Sequence, residues 1–404
     1  MSLSQVLKES EMDSFLTGNP QVTYFKSVYR RHTPFYKGVH TYTEKPILGE
    51  GKQSEELSHG SHDLITNIFL ENTITNRNNN KKVYANLGNN IVKDIIFKVG
   101  QTELYHTYGL YMEARAELDH PYVPSIKGSN SVPPIMTEVS NVLKCNTGSQ
   151  YNVQTMAGGV TGSNTNASSV DTFYTYPNFY FCKDYGNAFP ICALNNCKVE
   201  LEINYRSLTD IREDGGGDLK SSVIVEYVNL SDDERLRFIN NTDIYYYYDV
   251  YEYNYSISTA QISHPLRQIF FVGENKTLDS NTSHSTPVSL TSSLSTSGNI
   301  EIKVNDQLLY DKTNNISILT KQNLNRLYPG YGRELGDESN KGYTDSIGVH
   351  AFCLDTTNTS SGHLGANTDF NIVLTGDNTS NVRIFLEVIK FYRIMGGQLG
   401  SQYI

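Results

Sequence analysis

The segment Ser61–Ile74, SHDLITNIFLENTI, decides the fold class because its composition and spacing are those of a β-strand. It is enriched in β-branched and aromatic residues, and much of its apolar pattern has a period of two. The same pattern returns in the first half of the chain, between turn-forming Gly, Asn and Asp residues, at residues 35–49, 89–100 and 197–208. These segments predict a fold built mainly from β-strands.

The second half of the chain continues this pattern. Strands are predicted within residues 244–257, 266–272, 300–310, 346–354, 370–376 and 381–395. Each half also contains a long stretch that is rich in polar residues and lacks apolar periodicity, at residues 124–171 and 277–299, which predicts exposed loops. Two β-rich halves with long polar insertions predict an all-β fold of two sandwiches or jelly rolls in tandem.

A few helices are predicted between the strands. SDDERLRFI begins at Ser231, a suitable N-cap, and Glu234 completes a capping box. Another helix is predicted with Thr107 as its cap and an apolar face formed by Leu110, Tyr111, Ala114 and Leu118. The predicted organisation is an amino-terminal arm and helix over residues 1–35, a first domain over 36–230, a connecting helix over 231–242 and a second domain over 243–404.

The segment Gly18–Phe35, GNPQVTYFKSVYRRHTPF, is basic and aromatic in an otherwise acidic chain, and we name it the basic–aromatic segment. Asn19 is a good N-cap, Pro20 suits the first helical position, and Pro34 ends a helix. The sequence between them predicts an amphipathic helix of roughly four turns with a basic carboxyl end. Two interpretations remain open: the helix packs against its own domain, or it makes an assembly contact through Phe25, Lys26, Tyr29, Arg30 and Arg31.

Composition restricts the classes of function. The formal net charge of −10 argues against a protein that binds nucleic acid directly, because such a protein attracts phosphates with a basic surface. The 29 Tyr residues suit large protein–protein contacts, although Tyr also favours strands. We expect no secretory signal, and no apolar run reaches the length of about 18 residues that predicts a transmembrane helix. The five Cys residues form no repeated CxxC pair and are expected to be reduced.

Candidate catalytic or metal-binding residues are few. His59 and His62 lie three residues apart on a predicted strand, so their side chains point to opposite faces. His350 and His363 are the nearest pair for a cupin-type metal site, but no matching Glu follows them in pattern. The cysteines in strand-like segments, Cys182, Cys192 and Cys197, are interpreted as small buried apolar residues. We therefore expect no metal, no cofactor and no catalysis.

The basic–aromatic segment closely resembles the amino-terminal signature of the major capsid proteins of nucleocytoplasmic large DNA viruses. The resemblance continues in order through residues 62–70, 88–118, 179–203, 231–239, 262–272, 300–310 and 347–374 and covers most of the chain. The sequence departs from the family where His62 replaces a glycine, where VGQ replaces GGQ at residues 99–101, and where the family's tryptophans and a late SR dipeptide are missing.

The resemblance implies two consecutive eight-stranded jelly rolls in one chain. It further implies a homotrimer with six jelly rolls, whose pseudo-hexagonal capsomers tile an icosahedral shell around an internal membrane. It places the protein in the virion after assembly in the host cytoplasm. The basic–aromatic segment would then lie at the capsomer base and contact neighbouring capsomers or minor capsid proteins beneath the shell.

Two alternative functions remain open at this stage. A minor or paralogous double jelly-roll capsid protein would share the same fold and differ in its copy number in particles. A carbohydrate-binding or metal-dependent jelly-roll protein would need a concave cluster of aromatic and polar residues, or of His and Glu, on one sheet, and the sequence displays no such cluster.

Overall fold

The computed structural model divides the chain into two compact units, Met1–Pro34 and Phe35–Ile404. Nearly all of the regular structure described below belongs to the second unit. The structure describes residues 19, 25–27, 31–47, 51–57, 62–75, 87–119, 170–195, 197–207, 218–254, 257–273, 299–310, 327, 347–356, 361–365, 368–375 and 382–401.

The described residues of the first half of the second unit contain ten strands and two helices. The strands are β1 (Phe35–Thr41), β2 (Lys45–Ile47), β3 (Lys52–Glu56), β4 (Leu64–Thr75), β5 (Val92–Val99), β6 (Thr102–Tyr108), β7 (Val170–Thr175), β8 (Phe189–Pro190), β9 (Val199–Tyr205) and β10 (Asp218–Leu230). Helix α1 (Leu87–Ile91) precedes β5 and helix α2 (Gly109–Asp119) follows β6. Short 3-10 helices lie at Tyr180–Cys182, Tyr185–Asn187 and Ile191–Ala193.

Helix α3 (Asp232–Asn240) leads into the second half. That half contains the strands β11 (Ile244–Tyr253), β12 (Ile257–Ile262), β13 (Leu266–Gly273), β14 (Asn299–Val304), β15 (Gln307–Tyr310), β16 (Ile347–Ala351), β17 (Thr368–Thr375), β18 (Val382–Met395) and β19 (Gln398–Ser401). The sheets of the first half therefore end at Leu230 and those of the second half begin at Ile244. The predicted limits of the two domains stay a prediction, because Phe35–Ile404 forms one compact unit.

The two halves have the same strand order. In the first half one sheet runs β1-β10-β4-β7 and the other runs β3-β9-β5-β6, with β2 and β8 as short additions to the first sheet. In the second half the sheets run β11-β18-β13-β16 and β12-β17-β14-β15, with β19 added to β18. Counted along each half, the eight main strands give the orders 1-8-3-6 and 2-7-4-5, which define a jelly roll. The expected all-β fold of two tandem eight-stranded jelly rolls is confirmed.

The two jelly rolls share one hydrophobic core. In β9, Val199, Leu201, Ile203 and Tyr205 are buried while the residues between them are partly exposed, as the period of a half-buried strand requires. The same continuous apolar cluster extends from the first half into Phe270, Phe385 and other residues of the second half. A smaller cluster lies between the two sheets of the second jelly roll. Burial of apolar surface therefore holds each jelly roll together and joins it to the other.

The predicted apolar face of helix α2 is confirmed, but the predicted N-cap of this helix is wrong. Leu110, Tyr111, Ala114 and Leu118 are all buried. Thr107 lies within β6, and its buried hydroxyl makes no hydrogen bond. The helix begins directly after the strand at Gly109, so no loop residue is left to serve as a separate cap.

The capping box of helix α3 does not form. Ser231 occupies the N-cap position with extended backbone angles, but its side chain makes no capping hydrogen bond. The acidic first turn already complements the helix dipole. Arg235 of the same helix instead holds Asp63, with Nε 2.7 Å from Oδ1 and a terminal nitrogen 3.0 Å from Oδ2. This forked pair fastens the connecting helix to the start of β4.

The predicted helix in the basic–aromatic segment is wrong at the residues that the structure describes. Asn19 has a φ of +52°, in the left-handed region, whereas an N-cap residue is extended. Phe25 lies in a turn, and residues 26–27 and 31–34 have no regular structure. A helix that runs without interruption from residue 20 to Pro34 is therefore not present. Residues 20–24 and 28–30, which include Tyr29 and Arg30, lie outside the described residues.

Most of the two predicted polar loops also lies outside the described residues. Only the carboxyl ends of the two loops are described, and there the structure corrects the predicted last residue of each loop. Residues 170–171 belong to β7 and Asn299 belongs to β14, so both loops end earlier than predicted.

We predict that Gly109→Ala lowers the stability of the protein by about 1–3 kcal/mol, as is typical of overpacking. A Cβ atom at this position would collide with the backbone oxygens of Val92 and Asn89, which cannot move as freely as a side chain. Thermal and urea unfolding measure the effect. Gly400→Ala is the matched control, since a Cβ there meets no atom within 4 Å. Equal stability of both variants would contradict the close approach of Gly109 to the backbone of Val92 and Asn89.

Candidate functional site

The histidines show no catalytic or metal-binding arrangement among the described residues. The ring of His62 stacks on Tyr227 at 4.2 Å, and its Nδ1 lies 3.2 Å from Asn229 Oδ1. Burial lowers the pKa of His350 to about 4, and His363 is exposed in the connection between β16 and β17. The described residues contain no group of three or more His, Cys, Asp and Glu that could hold a metal ion. His59 lies outside the described residues.

The three cysteines that were predicted to lie in strand-like segments lie outside the strands. Cys182 and Cys192 lie in 3-10 helices and Cys197 lies just before β9, so none of the three is in a strand. All three are partly buried, whereas full burial was predicted. Burial raises the pKa of the Cys182 thiol to about 12 and that of Cys192 to about 11. Both thiols are therefore neutral at physiological pH and are poor nucleophiles. Within the part of the chain that the structure describes, no helix is long and apolar enough to cross a membrane.

One cleft of about 580 Å³ opens where the two jelly rolls meet. Asp94 in its wall accepts a hydrogen bond from Asn204 at 2.6 Å and lies 3.7 Å from His106. On the opposite wall Arg383 lies 3.9 Å from Glu252. The lining includes no Ser, Thr or Cys that could act as a nucleophile. Asp94 thus pairs within the first jelly roll and Arg383 within the second, and the cleft shows no catalytic group of side chains.

The junction itself contains a buried ion pair. Arg267 of β13 donates to Glu387 of β18 at 2.8 Å, and both side chains are almost completely inaccessible. Gln268 donates to the same carboxylate at 3.0 Å. Tyr111 of helix α2, in the other jelly roll, donates its hydroxyl to Glu387 at 2.8 Å. One carboxylate of the second jelly roll is thereby held by a side chain of the first.

The charges around Glu387 set its ionisation. Burial alone would raise its pKa, but the charges of Arg115 and Arg267 outweigh burial and lower the pKa to about 2. Arg115 belongs to helix α2, so the first jelly roll contributes both a positive charge and a hydrogen bond. Glu387 is therefore ionised over the whole physiological range.

A second polar link lies between β6 and β11. The backbone nitrogen of His106 donates to Asp249 Oδ1 at 2.9 Å. The other oxygen of Asp249 pairs with Lys390 of β18. Close by, the rings of Tyr105 and Tyr247 contact each other with centroids 4.7 Å apart. Strand β6, at the edge of one sheet, is thus joined to β11 by apolar and by polar contacts.

Two other edge strands expose apolar side chains on both faces. In β1, Tyr36 is 60% and Val39 66% exposed, and Phe35 is also exposed. In β15, the neighbours Leu308 and Leu309 are 46% and 47% exposed. Neighbouring residues of a strand point to opposite faces, so neither face of these strands is fully covered. Exposed apolar edge strands are characteristic of protein–protein contacts.

Polar groups border the apolar side chains of β1. Lys37 lies 4.4 Å from the ring centroid of Tyr185 and donates to its hydroxyl at 2.7 Å. Glu226 of β10 lies 3.6 Å from the same Lys37 nitrogen. An apolar surface with a polar rim is the usual composition of an interface between subunits.

The basic–aromatic segment is only partly described. Phe25 is 99% exposed, and Lys26 and Arg31 are exposed as well. Tyr29 and Arg30 lie outside the described residues. The assembly role of these residues stays a prediction. Sequence reasoning missed the surfaces of β1 and β15, although two successive leucines after the tight turn Asn305–Asp306 were a usable signal for β15.

Comparison with known proteins agrees with this fold. A family model described as "Major capsid protein N-terminus" matches residues 23–226. The chain is 26% identical over 241 residues to the major capsid protein of Pyramimonas orientalis virus, covering 58% of this chain and 54% of that one. It is 28% identical over 304 residues to capsid protein 1 of Acanthamoeba polyphaga mimivirus, covering 69% and 45%. The chain spans about half the length of the curated relatives it matches.

Solved structures show the same fold. The VP54 protein of PBCV-1, fitted into a reconstruction of the virophage Sputnik, has a TM-score of 0.70 at 18% identity, covering 95% of this chain and all of that one. The Faustovirus major capsid protein has a TM-score of 0.56 at 10% identity, covering 96% and 94%. The strand order defines a double jelly-roll fold, and the family model identifies the chain as a capsid protein. The chain belongs to the major capsid protein family of nucleocytoplasmic large DNA viruses.

We predict that Glu387→Gln lowers the stability at neutral pH by about 3–5 kcal/mol, because it leaves Arg267 buried without its counter-charge. The pKa of Glu387 is lowered from 4.5 to about 2 on folding. Its ionised form therefore stabilises the protein fully above pH 4.5, and this contribution is lost as the pH falls toward 2.

Unfolding measured from pH 7 down to pH 2 tests this prediction. The wild type should lose stability more steeply than Glu387→Gln between pH 4.5 and 2. Glu56→Gln, which breaks an exposed pair with Lys198, is the control and should change almost nothing. If the free energy of unfolding of the wild type and that of Glu387→Gln fall equally with pH, the prediction is wrong.

Proposed function

We propose that this chain is the major building block of an icosahedral shell. Three copies form a homotrimeric capsomer with a pseudo-hexagonal outline, and the capsomers tile a shell around an internal membrane. The observation that supports this proposal is the repeated strand order of the two jelly rolls. Three chains with two similar jelly rolls each supply six similar units, which is what a pseudo-sixfold ring requires.

The proposed role is structural and non-catalytic. Arg267 and Glu387 of the junction pair with each other, and the thiols of Cys182 and Cys192 are neutral at physiological pH. The formal net charge of −10 suits a shell protein that does not contact the genome directly. We further propose that the protein is assembled into particles in the host cytoplasm.

A role as a paralogous capsid protein is the second candidate. The chain is also 25% identical over 217 residues to probable capsid protein 4 of Acanthamoeba polyphaga mimivirus, so related sequences occur as several capsid proteins of one virus. The copy number of this chain in purified particles distinguishes the two roles. A major capsid protein is the most abundant protein of the shell, whereas a paralogue is present in far fewer copies.

We predict that the purified protein has three times the mass of one chain in light scattering at micromolar concentration. An obligate capsomer should bury well above about 2,000 Å² at each contact between chains, which keeps it associated on dilution. A stable monomer under these conditions would count decisively against the capsomer.

We also propose that the basic–aromatic segment contacts neighbouring capsomers or minor capsid proteins beneath the shell. Phe25 is almost completely exposed, and Lys26 and Arg31 are exposed beside it. An exposed aromatic residue next to cations suits a contact with an acidic partner, since arginine forms forked hydrogen bonds with carboxylates.

For this segment we predict that Arg30→Gln with Arg31→Gln leaves the trimer folded but lowers the yield of closed particles about tenfold or more. Charge-assisted hydrogen bonds contribute at least about 1.5 kcal/mol, and 1.4 kcal/mol corresponds to tenfold in association. The measurements are trimer melting and particle counts. Lys198→Gln with Arg237→Gln removes two exposed charges elsewhere and is the control. Normal particle yield of the double arginine variant would refute the contact.

A further inference from the structure

The cleft of about 580 Å³ between the jelly rolls lies at one end of the sheet β3-β9-β5-β6. Asp94 of β5 lies opposite both Asn204 of β9 and Tyr108 of β6. Lys52 of β3 lies opposite Asn204 on the other side of β9. Residues that lie opposite each other in antiparallel strands share a face of the sheet. These four side chains therefore form one continuous row, and all four line the cleft.

A β-bulge brings a further cation into the cleft. Val92 of β5 lies opposite Tyr205. Asp94 lies opposite Asn204, the neighbour of Tyr205 in β9, so Lys93 is an extra residue in β5. Successive residues of a regular strand point to opposite faces, whereas Lys93 and Asp94 both line the cleft. The bulge thus redirects the Lys93 side chain toward the cleft, as bulges near binding sites often do.

The lining of the cleft carries more positive than negative charge. Its carboxylates are those of Asp94 and Glu252, and its cations are Lys52, Lys93, Arg206 and Arg383. Lys52 pairs at 2.5 Å with Glu202, which lies beside the cleft. The cations exceed the carboxylates even when Glu202 is counted. In a chain with a formal net charge of −10, a locally cationic cleft favours an anionic ligand.

The two carboxylates of the lining have partners on their own walls. Asp94 accepts a hydrogen bond from Asn204 at 2.6 Å. Burial would raise the pKa of Asp94, but its contacts with His106 and Asn204 lower that pKa. Glu252 lies 3.9 Å from Arg383 on the opposite wall. These contacts fix the carboxylates and orient the side chains around them.

We propose that this cleft binds a small polyphosphate anion. Its volume lies within the range of about 300–1,000 Å³ that is typical of small-molecule sites and exceeds what one phosphate ion fills. Lys93 and Arg206 lie on the wall of the first jelly roll, and Arg383 lies on the wall of the second. A ligand with several linked anionic groups can contact both walls at once. Arginine forms forked hydrogen bonds with phosphate oxygens, and lysine supplies a compact positive charge.

Two further features suit a ligand whose oxygens only accept hydrogen bonds. Burial, together with the nearby carboxylate of Glu252, raises the pKa of Tyr108, so its hydroxyl stays protonated and is able to donate. Arg206 is positioned at the cleft by its backbone nitrogen, which donates to the backbone oxygen of Ile91 at 2.8 Å. The cleft therefore presents neutral and charged donors together.

Isothermal titration calorimetry of the full chain with sodium tripolyphosphate at neutral pH and about 0.1 M salt tests the proposal. We expect saturable binding of one tripolyphosphate per chain. Inorganic phosphate should bind about tenfold more weakly or less tightly still, because one phosphate contacts fewer of the cations. ATP is titrated in parallel. Equal affinities for ATP and tripolyphosphate would admit nucleotides to the site, and a weaker affinity for ATP would restrict it to inorganic polyphosphate.

Lys93→Glu is the decisive variant. Lys93 is exposed, so the fold should tolerate the change, and we expect tripolyphosphate to bind about tenfold more weakly or worse. Lys198→Glu is the matched control, since it makes the same change of charge just before β9, about 20 Å from Asn204 at about 3.3 Å per residue. That distance exceeds the Debye length of about 10 Å, so the control should change the affinity less than about twofold.

The absence of saturable binding would overturn the proposal. Equal affinities of the two lysine variants, with melting and circular dichroism that match the wild type, would overturn it as well. If Lys93→Glu melts at a lower temperature, Lys93→Gln takes its place, because it removes the charge without reversing it and should weaken binding in the same direction. One ligand per chain is expected in a monomer and in a trimer alike, so failure of this test leaves the proposed capsomer unaffected.

Discussion

The contact between the two jelly rolls is the interaction on which the rest of the molecule depends. Apolar burial supplies most of its free energy, because one continuous core passes from Phe97 and Tyr105 into Tyr247, Phe270 and Phe385. The buried pair Arg267–Glu387 contributes differently. Replacing such a pair with apolar residues is often neutral, but losing one partner is costly, so the pair penalises any arrangement in which Glu387 is not met by helix α2. The core thus makes the contact stable, and the polar groups make it specific.

Because the apolar core stabilises the contact and the polar groups fix its geometry, one chain can act as a rigid two-part unit. Tyr111 and Arg115 on α2 and Asp249 on β11 hold the jelly rolls in one relative position. The equal strand orders of the two halves give each chain two similar units. A rigid pair of similar units is what the proposed pseudo-hexagonal capsomer requires of each of its three chains.

Much of the fold was predictable because it depends on local pattern. The period-two segments became strands, and the apolar face of α2 is buried as its spacing indicates. Features that depend on distant residues were not predictable. Helix α3 lacks the expected capping hydrogen bond of Ser231 and is instead held by the pair of Arg235 with Asp63, which are 172 residues apart. Glu387 and Tyr111 are 276 residues apart. The predicted helix of the basic–aromatic segment does not extend through residues 25–27, where the structure shows a turn and irregular chain.

Electron cryomicroscopy of the purified oligomer distinguishes the proposed capsomer from any other assembly. We expect a threefold particle with six jelly-roll densities, in which the two densities of each chain are joined where Tyr111 meets Glu387. A particle without threefold symmetry, or one in which the two jelly rolls of a chain are separated, would refute the proposed capsomer.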